Sequence, residues 1–412
     1  MKISIRKIKN IILCTFLILF LVFTGDYPNG RIGIMLILII SLASMSLIAF
    51  QGILRINSLF VIPSLYFLYN LSDITNGISS SSNIVNLLIC IALIITVVQY
   101  AYDETDVNKV IKIIFFVFLI SGPIIGLYQM ATGGFVFPET ETSVFYSFKI
   151  FNSQQSNENY SALTMVIPAF LSLFLFSQGN NKTVRLFFVI ISIISFTCLL
   201  LTFSRGAIVG AAIALLLLIF SLIKHNKDIF KQITFGKITF IIVLIIVIAA
   251  LYSYAEQFIN SYDVQNLLEK KTTSSLEVRM TQWKSIVMVM MNSGLKNFLV
   301  GYGSNYPDIV GGVSGYYISA HNIFLGYLIQ NGIVGLVCIL FLFFNSIKKS
   351  LEIFKTDDFG GKFIAALVLT MWIAYQFVSM VRWELWFSII VLELYYSSQF
   401  KQIDNDIKYI SY

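Results

Sequence analysis

Apolar runs about as long as a bilayer is thick dominate the sequence. A helix needs about 20 largely apolar residues to cross the hydrocarbon core, and this length excludes the short alternating strands of an outer-membrane barrel. Only 12% of the 412 residues are charged, against about 25% in soluble domains, so a water-soluble enzyme is excluded. We predict twelve spans, with approximate ends at Ile11–Phe23, Ile32–Phe50, Ser58–Leu71, Asn83–Tyr100, Val110–Met130, Tyr160–Phe176, Val184–Phe203, Gly206–Ile223, Ile238–Tyr254, Ile333–Ile347, Phe363–Met380 and Trp383–Phe400.

The predicted fold class is therefore all-α. The chain is expected to be one integral membrane domain, residues 1–412, with a long outer (periplasmic) helical loop, residues 255–320, before the last three spans. If the N-terminus is cytoplasmic, 19 of the 28 basic residues fall on the cytoplasmic side, which satisfies the positive-inside rule. We expect a multi-pass membrane protein with both termini cytoplasmic. The net charge of +7 is then a topology signal and does not indicate binding to nucleic acid.

The long outer loop carries two helix signals. Leu276, Met280, Trp283, Val287 and Met290 follow a spacing of 4, 3, 4 and 3, which predicts one apolar face of a helix. A helix of this kind outside the spans is expected to lie along the membrane surface. After a glycine- and tyrosine-rich run, a second helix is predicted at 323–330, and Asn331-Gly332 is expected to stop or kink it before the next span.

Arg205 is the first candidate for substrate binding. It follows Ser204, which can cap the next helix, and it stands at that helix's outward N-terminus. The partial positive charge of a helix N-terminus and a guanidinium together make a phosphate site. An interfacial arginine that snorkels toward the headgroups is an equally good interpretation from spacing alone.

Arg279 lies one helical turn before Trp283, at the border of the predicted apolar face. It is a second candidate cation at headgroup depth, able to hold a diphosphate. The simpler interpretation is that it binds ordinary lipid phosphates or stacks on Trp283. The sequence leaves both open.

His321 is the one histidine predicted on the outer side, since the chain has only two. It can act as a general base near neutral pH, or it can simply contact backbone at a helix start. Tyr302 and other loop tyrosines can stack on sugar rings, and Arg382 is interpreted mainly as an aromatic-belt anchor. The candidate substrate-binding set is Ser204, Trp283, Tyr302, Asn305, Asn322 and Arg382; the candidate catalytic set is His321, Arg279 and Arg205. No metal site is predicted.

These residues also form an ordered set of short motifs. They are Ser204-Arg205-Gly206-Ala207, Arg279-x-x-x-Trp283, Gly301-Tyr302-Gly303, His321-Asn322-x-x-Leu325 and Asn331-Gly332-Ile333-Val334-Gly335-Leu336. In this order, with the long outer loop near the C-terminal end, the chain resembles the bacterial O-antigen ligase and polymerase family. The motifs cover about a third of the chain.

The resemblance implies a membrane glycosyltransferase of the bacterial inner membrane with its active site on the outer face. Its donor would be a glycan on undecaprenyl diphosphate, moved onto an acceptor sugar with inversion, without a nucleotide sugar, a metal or another cofactor. An O-antigen or capsule polymerase is favoured over a ligase that transfers the chain to lipid A core. By motif, Arg205 and Arg279 match the family's essential arginines and His321 its histidine. A chain-length regulator is an expected partner of a polymerase.

Three alternatives remain at this stage. A carboxylate of the outer loop could be the base in place of His321; the candidates are Glu256, Asp263, Glu269, Glu277 and Asp308. A flippase or transporter of lipid-linked sugars would fit twelve spans equally well. A cell-wall glycan polymerase of the shape-and-division type would use a similar donor, but its motifs are not found here.

Overall fold

The computed structural model of the chain describes residues 53–56, 58–78, 104–124, 158–202, 204–225, 262–315, 320–378, 383–399 and 408–411, with isolated positions at 15, 87, 88, 91, 94 and 127. Eleven α-helices lie in these ranges: α1 Val61–Thr75, α2 Glu104–Leu119, α3 Glu158–Gln178, α4 Lys182–Leu201, α5 Arg205–His225, α6 Tyr262–Met291, α7 Leu295–Val300, α8 Tyr306–Ser314, α9 Ile323–Phe354, α10 Phe359–Ala374 and α11 Trp383–Gln399.

Short elements complete the described chain. Three 3₁₀ turns lie at Ser58–Phe60, Gly303–Asn305 and Tyr375–Phe377, and a π turn at Ile120–Ile124 continues α2. Two four-residue strands, β1 Ile53–Ile56 and β2 Lys408–Ser411, pair antiparallel. The predicted all-α class is confirmed for the helical bundle, and the small β pair outside it was not predicted.

Five described stretches are long and apolar enough to cross a membrane: Val107–Ile124, Ser161–Gln178, Lys182–Leu200, Ile323–Phe354 and Phe359–Phe377. Each coincides with a predicted span. Arg205–Ser221 is apolar but shorter. The chain is therefore a multi-pass membrane protein.

The count of twelve spans stays a prediction. The spans predicted at Ser58–Leu71 and Trp383–Phe400 correspond to α1 and α11, which have 15 and 17 residues. The ones predicted at Ile11–Phe23, Ile32–Phe50, Asn83–Tyr100 and Ile238–Tyr254 lie outside the described residues or nearly so.

The main hydrophobic core is the centre of the bundle. α10 is enclosed by α3, α5, α9 and α11, and almost all of its residues are buried. Glycines allow the closest approaches: a Cβ on Gly206 would lie 2.7 Å from the ring of Phe377, and one on Gly210 would lie 2.8 Å from the carbonyl of Thr370. Small residues at i and i+4 let two helix backbones pack this tightly within a membrane. The start of α5, which carries Arg205, is thereby fixed against the end of α10.

The predicted interruption at Asn331-Gly332 is confirmed. Gly332 has φ +68°, a left-handed conformation inside α9, which costs little for glycine alone. The two halves of α9 then fold back on each other, because Phe324 packs on Phe343 with ring centroids 5.4 Å apart. Residues 333–354 are about 33 Å long at 1.5 Å per residue, enough to cross a bilayer alone.

A second, smaller hydrophobic cluster lies beside the bundle. It joins the end of α6, the start of α8 and the first half of α9, through Ile286, Val289, Met290, Tyr306, Val310, Ala320 and Ile329. Ala320 belongs to this cluster, while Ile323 belongs to the main core. His321 therefore lies where the two clusters meet.

Candidate active site

The His321 backbone is held in a strained conformation. Its φ is +47°, and it is the one residue other than glycine with a positive φ in the described part of the chain. Such a conformation costs about 1–3 kcal/mol and persists only where its surroundings impose it. Both neighbouring residues supply that restraint.

The peptide groups before His321 are fixed from two elements. The indole Nε1–H of Trp283, on α6, donates to the carbonyl of Ala320 at 2.7 Å. The N–H of Ala320 donates to the hydroxyl of Tyr306, on α8, at 3.3 Å. One residue is thus held through both of its backbone polar groups, so the turn that carries His321 has little freedom.

Asn322 fixes the other side of His321. Its side-chain oxygen accepts from the N–H groups of Phe324 and Leu325 at 3.0 and 3.1 Å, so it is the N-cap of α9. Its side-chain nitrogen donates to Gln376 Oε1 at 3.3 Å. Asn322 is predicted to bind substrate, and its contacts in the described part of the chain are structural.

Arg279 and His321 lie within electrostatic reach of each other. Burial lowers the pKa of His321, and the Arg279 guanidinium lowers it further, to about 4. Both groups are half-buried. Burial disfavours the imidazolium ion, and a nearby cation disfavours it again, so the imidazole is neutral at pH 7.

Arg279 was predicted at the border of the apolar face of α6, and the structure places it on the side of the helix that faces the protein. Between residues 277 and 291 of this helix, the buried side chains are Gln282, Ser285, Ile286, Val289 and Met290. Their spacing from Arg279 places them on one side of a 3.6-residue helix. The single apolar face predicted from sequence is wrong in part, because Met280 and Val287 are exposed while Trp283 and Met290 face the protein.

Arg205 lies at the same end of the bundle. It is the first residue of α5 and its side chain is exposed. Ser204 precedes it, and the Ser204 carbonyl accepts the first helical bond, from Ile208 N–H at 3.0 Å, as an N-cap residue does. The predicted cap position of Ser204 is therefore observed.

The 3₁₀ turn Tyr375–Phe377 connects the Arg205 and His321 positions. Phe377 packs on Gly206, next to Arg205, while Gln376 accepts from Asn322, next to His321. Two helix N-termini, those of α5 and α9, therefore meet the end of α10 on one side of the bundle. Each adds a partial positive charge to that of the arginines.

Tyr302 and Asn305 lie in the segment between α7 and α8. The Tyr302 N–H donates to Ile329 O at 2.9 Å, near the far end of the first half of α9, about 12 Å along the helix from His321. Asp73 Oδ1 accepts from the N–H and hydroxyl of Ser304 at 2.7 and 3.0 Å, next to Asn305. The Gly301-Tyr302-Gly303 motif thus has a structural role, because its segment joins α1 to α9.

Arg382 lies outside the described residues. Tyr306 and Gln376, which hold the His321 turn, were missed, because no local pattern marks a contact across 14 or 54 residues. In the described ranges, no group of three or more histidine, cysteine, aspartate or glutamate side chains could hold a metal ion.

The fold and this constellation define a polytopic helical membrane protein with a cationic, histidine-bearing site at one end of its bundle. Residues 190–340 match the sequence model of a family described as O-antigen ligase. The match confirms the resemblance to the O-antigen ligase and polymerase family, and it supports a membrane enzyme of this kind. The matched segment contains Arg205, Arg279, Trp283 and His321. No curated protein matches the chain.

Proposed function

We propose that the chain is a membrane glycosyltransferase that moves an undecaprenyl-diphosphate-linked glycan onto an acceptor sugar at the outer leaflet. An O-antigen or capsule polymerase is favoured, and a ligase to lipid A core is the alternative. The observation that supports this most strongly is the placing of Arg279 beside His321 within the family-matched segment. No metal or cofactor is required.

The proposed reaction is a direct displacement. The acceptor hydroxyl attacks the anomeric carbon of the donor glycan, and the bond from that carbon to the diphosphate oxygen breaks. The diphosphate leaves with the bonding electron pair, and the configuration at the anomeric carbon inverts. His321 takes the proton of the attacking hydroxyl.

Arg279 and Arg205 are proposed to bind the diphosphate. Bidentate guanidinium–phosphate hydrogen bonds hold the leaving group and stabilise its growing charge. The N-terminus of α5 adds backbone N–H groups beside Arg205. A lipid-linked donor presents its diphosphate at the membrane boundary. The N-terminus of a membrane-crossing helix lies at that boundary as well.

Donor binding would also adjust the base. One cause of the low pKa of His321 is the Arg279 charge, and a bound diphosphate neutralises that charge. The imidazole therefore becomes more basic when the donor is present. An imidazole that is neutral before the donor binds can accept a proton at pH 7, and the higher pKa in the donor complex makes it a stronger base.

Reconstitution tests the proposal. Purified protein in liposomes is supplied with a lipid-linked repeat unit, with and without lipid A core. A polymerase releases one undecaprenyl diphosphate per linkage and forms a lipid-linked ladder; a ligase forms product only when core is added. Movement of the donor across the bilayer without any new linkage would support a flippase and refute the transferase.

Matched variants make the test specific. Arg279→Gln is expected to lower turnover about 100-fold, as the loss of a charge-stabilising donor commonly does, and His321→Asn is expected to lower it at least as far. Lys348→Gln removes an exposed cation from the far part of α9 and should leave turnover within about threefold. Equal loss in Arg279→Gln and Lys348→Gln would refute a specific role for Arg279.

Cells give an independent test of the subtype. A deletion strain that makes core bearing a single repeat unit indicates a polymerase. Lipid-linked polymer that accumulates without transfer to core indicates a ligase. Unchanged surface polysaccharide would contradict both.

A further inference from the structure

The end of α6 and the short helix α7 expose an apolar surface, which we call the ridge. It consists of Val287, Met288, Met291, Leu295, Phe298 and Leu299, and its two most exposed members are Met291 at 79% and Leu295 at 75%. The opposite side of α6 packs on the second cluster. α6 therefore has two apolar sides, and the packing of the described chain covers only one.

The charge around the ridge has one sign. Between Glu277 and Asp308 the chain contains Arg279, Lys284 and Lys296 and no acidic residue. Lys284 is exposed on the same side of α6 as the ridge. Exposed apolar side chains flanked by lysines are typical of helices that lie in a lipid interface, where the lysines meet phosphate headgroups.

The ridge continues onto a lipid-facing surface. Gly332 lies against the carbonyl of Leu299, so close that a Cβ there would collide with it, and the membrane-crossing half of α9 begins just after Gly332. Its exposed residues Val334, Val337, Phe341 and Phe344 recur at spacings of 3, 4 and 3, which is one helix face. α7 thus lies where the spanning half of α9 begins.

We propose that the ridge is an interfacial anchor, inserted into the lipid leaflet on the side where the membrane-crossing half of α9 begins. The continuity with the lipid-facing side of α9 and the one-signed charge favour lipid over a protein partner. Burying six large apolar side chains in lipid removes their apolar surface from water, which favours insertion.

The anchor would set the depth of the site. Arg279 lies on α6 three turns before Met291, on the side that faces the protein. Because Arg279 and Met291 lie on one helix, fixing the end of α6 in the interface would restrain the position of Arg279 relative to the lipid-linked diphosphate. This consequence rests on the proposed function, whereas the insertion itself does not.

Depth-dependent quenching tests the insertion. In full-length protein whose four cysteines are replaced by alanine, a single cysteine at Met291 is labelled with bimane and reconstituted with 5-doxyl phosphatidylcholine. Matched labels at Phe344, on the lipid-facing side of α9, and at Asp308, exposed on α8, are the two references. Leu295→Cys repeats the measurement if the Met291 variant does not fold.

The expected result is that the lipid quencher reduces the Met291 label at least half as strongly as the Phe344 label, while aqueous iodide hardly reaches it. A Met291 label that behaves as the Asp308 label does would overturn the proposal. So would a label shielded from both quenchers only at high protein-to-lipid ratio, which would indicate a second copy of the chain.

A functional readout separates this proposal from the proposed chemistry. Met291→Asp with Leu295→Asp is expected to abolish lipid quenching at a nearby label and to lower turnover of the lipid-linked donor by at least tenfold. His321→Asn is expected to abolish turnover and leave the quenching unchanged. Quenching without any transferase activity would refute the function and retain the anchor.

Discussion

The protonation state of His321 is the property on which the proposed chemistry most depends, and it can be measured directly. The chain has only two histidines, so His225→Gln leaves His321 as the only imidazole. Selective ¹³C labelling of histidine then gives one Cε1–H signal in lipid nanodiscs. Its chemical shift against pH reports one titration, without overlap.

The expected midpoint is near pH 4, against 6.5 for an ordinary histidine. The difference of about 2.5 pKa units corresponds to about 3 kcal/mol at 1.36 kcal/mol per unit. Burial is the larger cause and the Arg279 charge the smaller. Arg279→Gln should therefore raise the midpoint but leave it below 6.5.

Lys284→Gln is the matched control for that shift. It removes an equal charge from the same helix, on the exposed side, where solvent screens it. The midpoint of His321 should move by at most a few tenths of a unit. A midpoint near 6.5 in the parent protein, or equal shifts in the two variants, would refute the placing of Arg279 beside a buried imidazole.

The same pKa has a consequence for stability. A folded-state pKa below the unfolded value means that the unfolded chain binds the proton first as the pH falls. The contribution from His321 is therefore fully present above about pH 6.5 and is lost between 6.5 and 4, by up to about 3 kcal/mol. Thermal unfolding of the parent chain should show this loss, and His321→Asn should show less of it.

Three further changes should separate structural from catalytic residues. Gly332→Ala should lower the free energy of unfolding by about 1–3 kcal/mol, since φ is +68° and a Cβ would strike a backbone carbonyl; Gly312→Ala, with no atom within 4 Å, should not, and thermal shift assays compare them. Tyr306→Phe deletes the hydroxyl that accepts from the peptide before the candidate base, so kcat should fall several-fold with KM little changed; an unchanged kcat would contradict the restraint. Glu393→Gln breaks the 2.7 Å pair with Lys349 and should destabilise by about 3–5 kcal/mol without altering the pH profile of turnover.

Glu393 shows what composition could and could not predict. It is the one ionisable residue well inside a predicted span, and such residues suggest ion transport or interhelical hydrogen bonding. The structure shows the second, because Glu393 on α11 accepts from Asn345 and Lys349 on α9 at 2.7 Å each. The contact joins positions 44 and 48 residues apart, which hydropathy alone does not relate.

The α9 interruption was predictable because its cause is local. Asn331-Gly332 is a helix-stop pair in the sequence, and Gly332 takes a positive φ, which only glycine adopts readily. The buried face of α6 was predicted less well, because the sequence does not distinguish a methionine or valine that packs on protein from one that faces lipid. Only the observed packing separates buried Met290 from exposed Met291.

The placing of His321 follows from a conflict that the sequence does not show. The turn before α9 must satisfy the cap of that helix through Asn322 and also pack Ala320 into the second cluster. His321 lies between these two constraints and adopts φ +47°. Because α6 and α8 supply the restraints through Trp283 and Tyr306, a shift of α6 would displace Arg279 and the imidazole together. The cation and the base are thus held in fixed relation by the same hydrogen bonds that impose the strain.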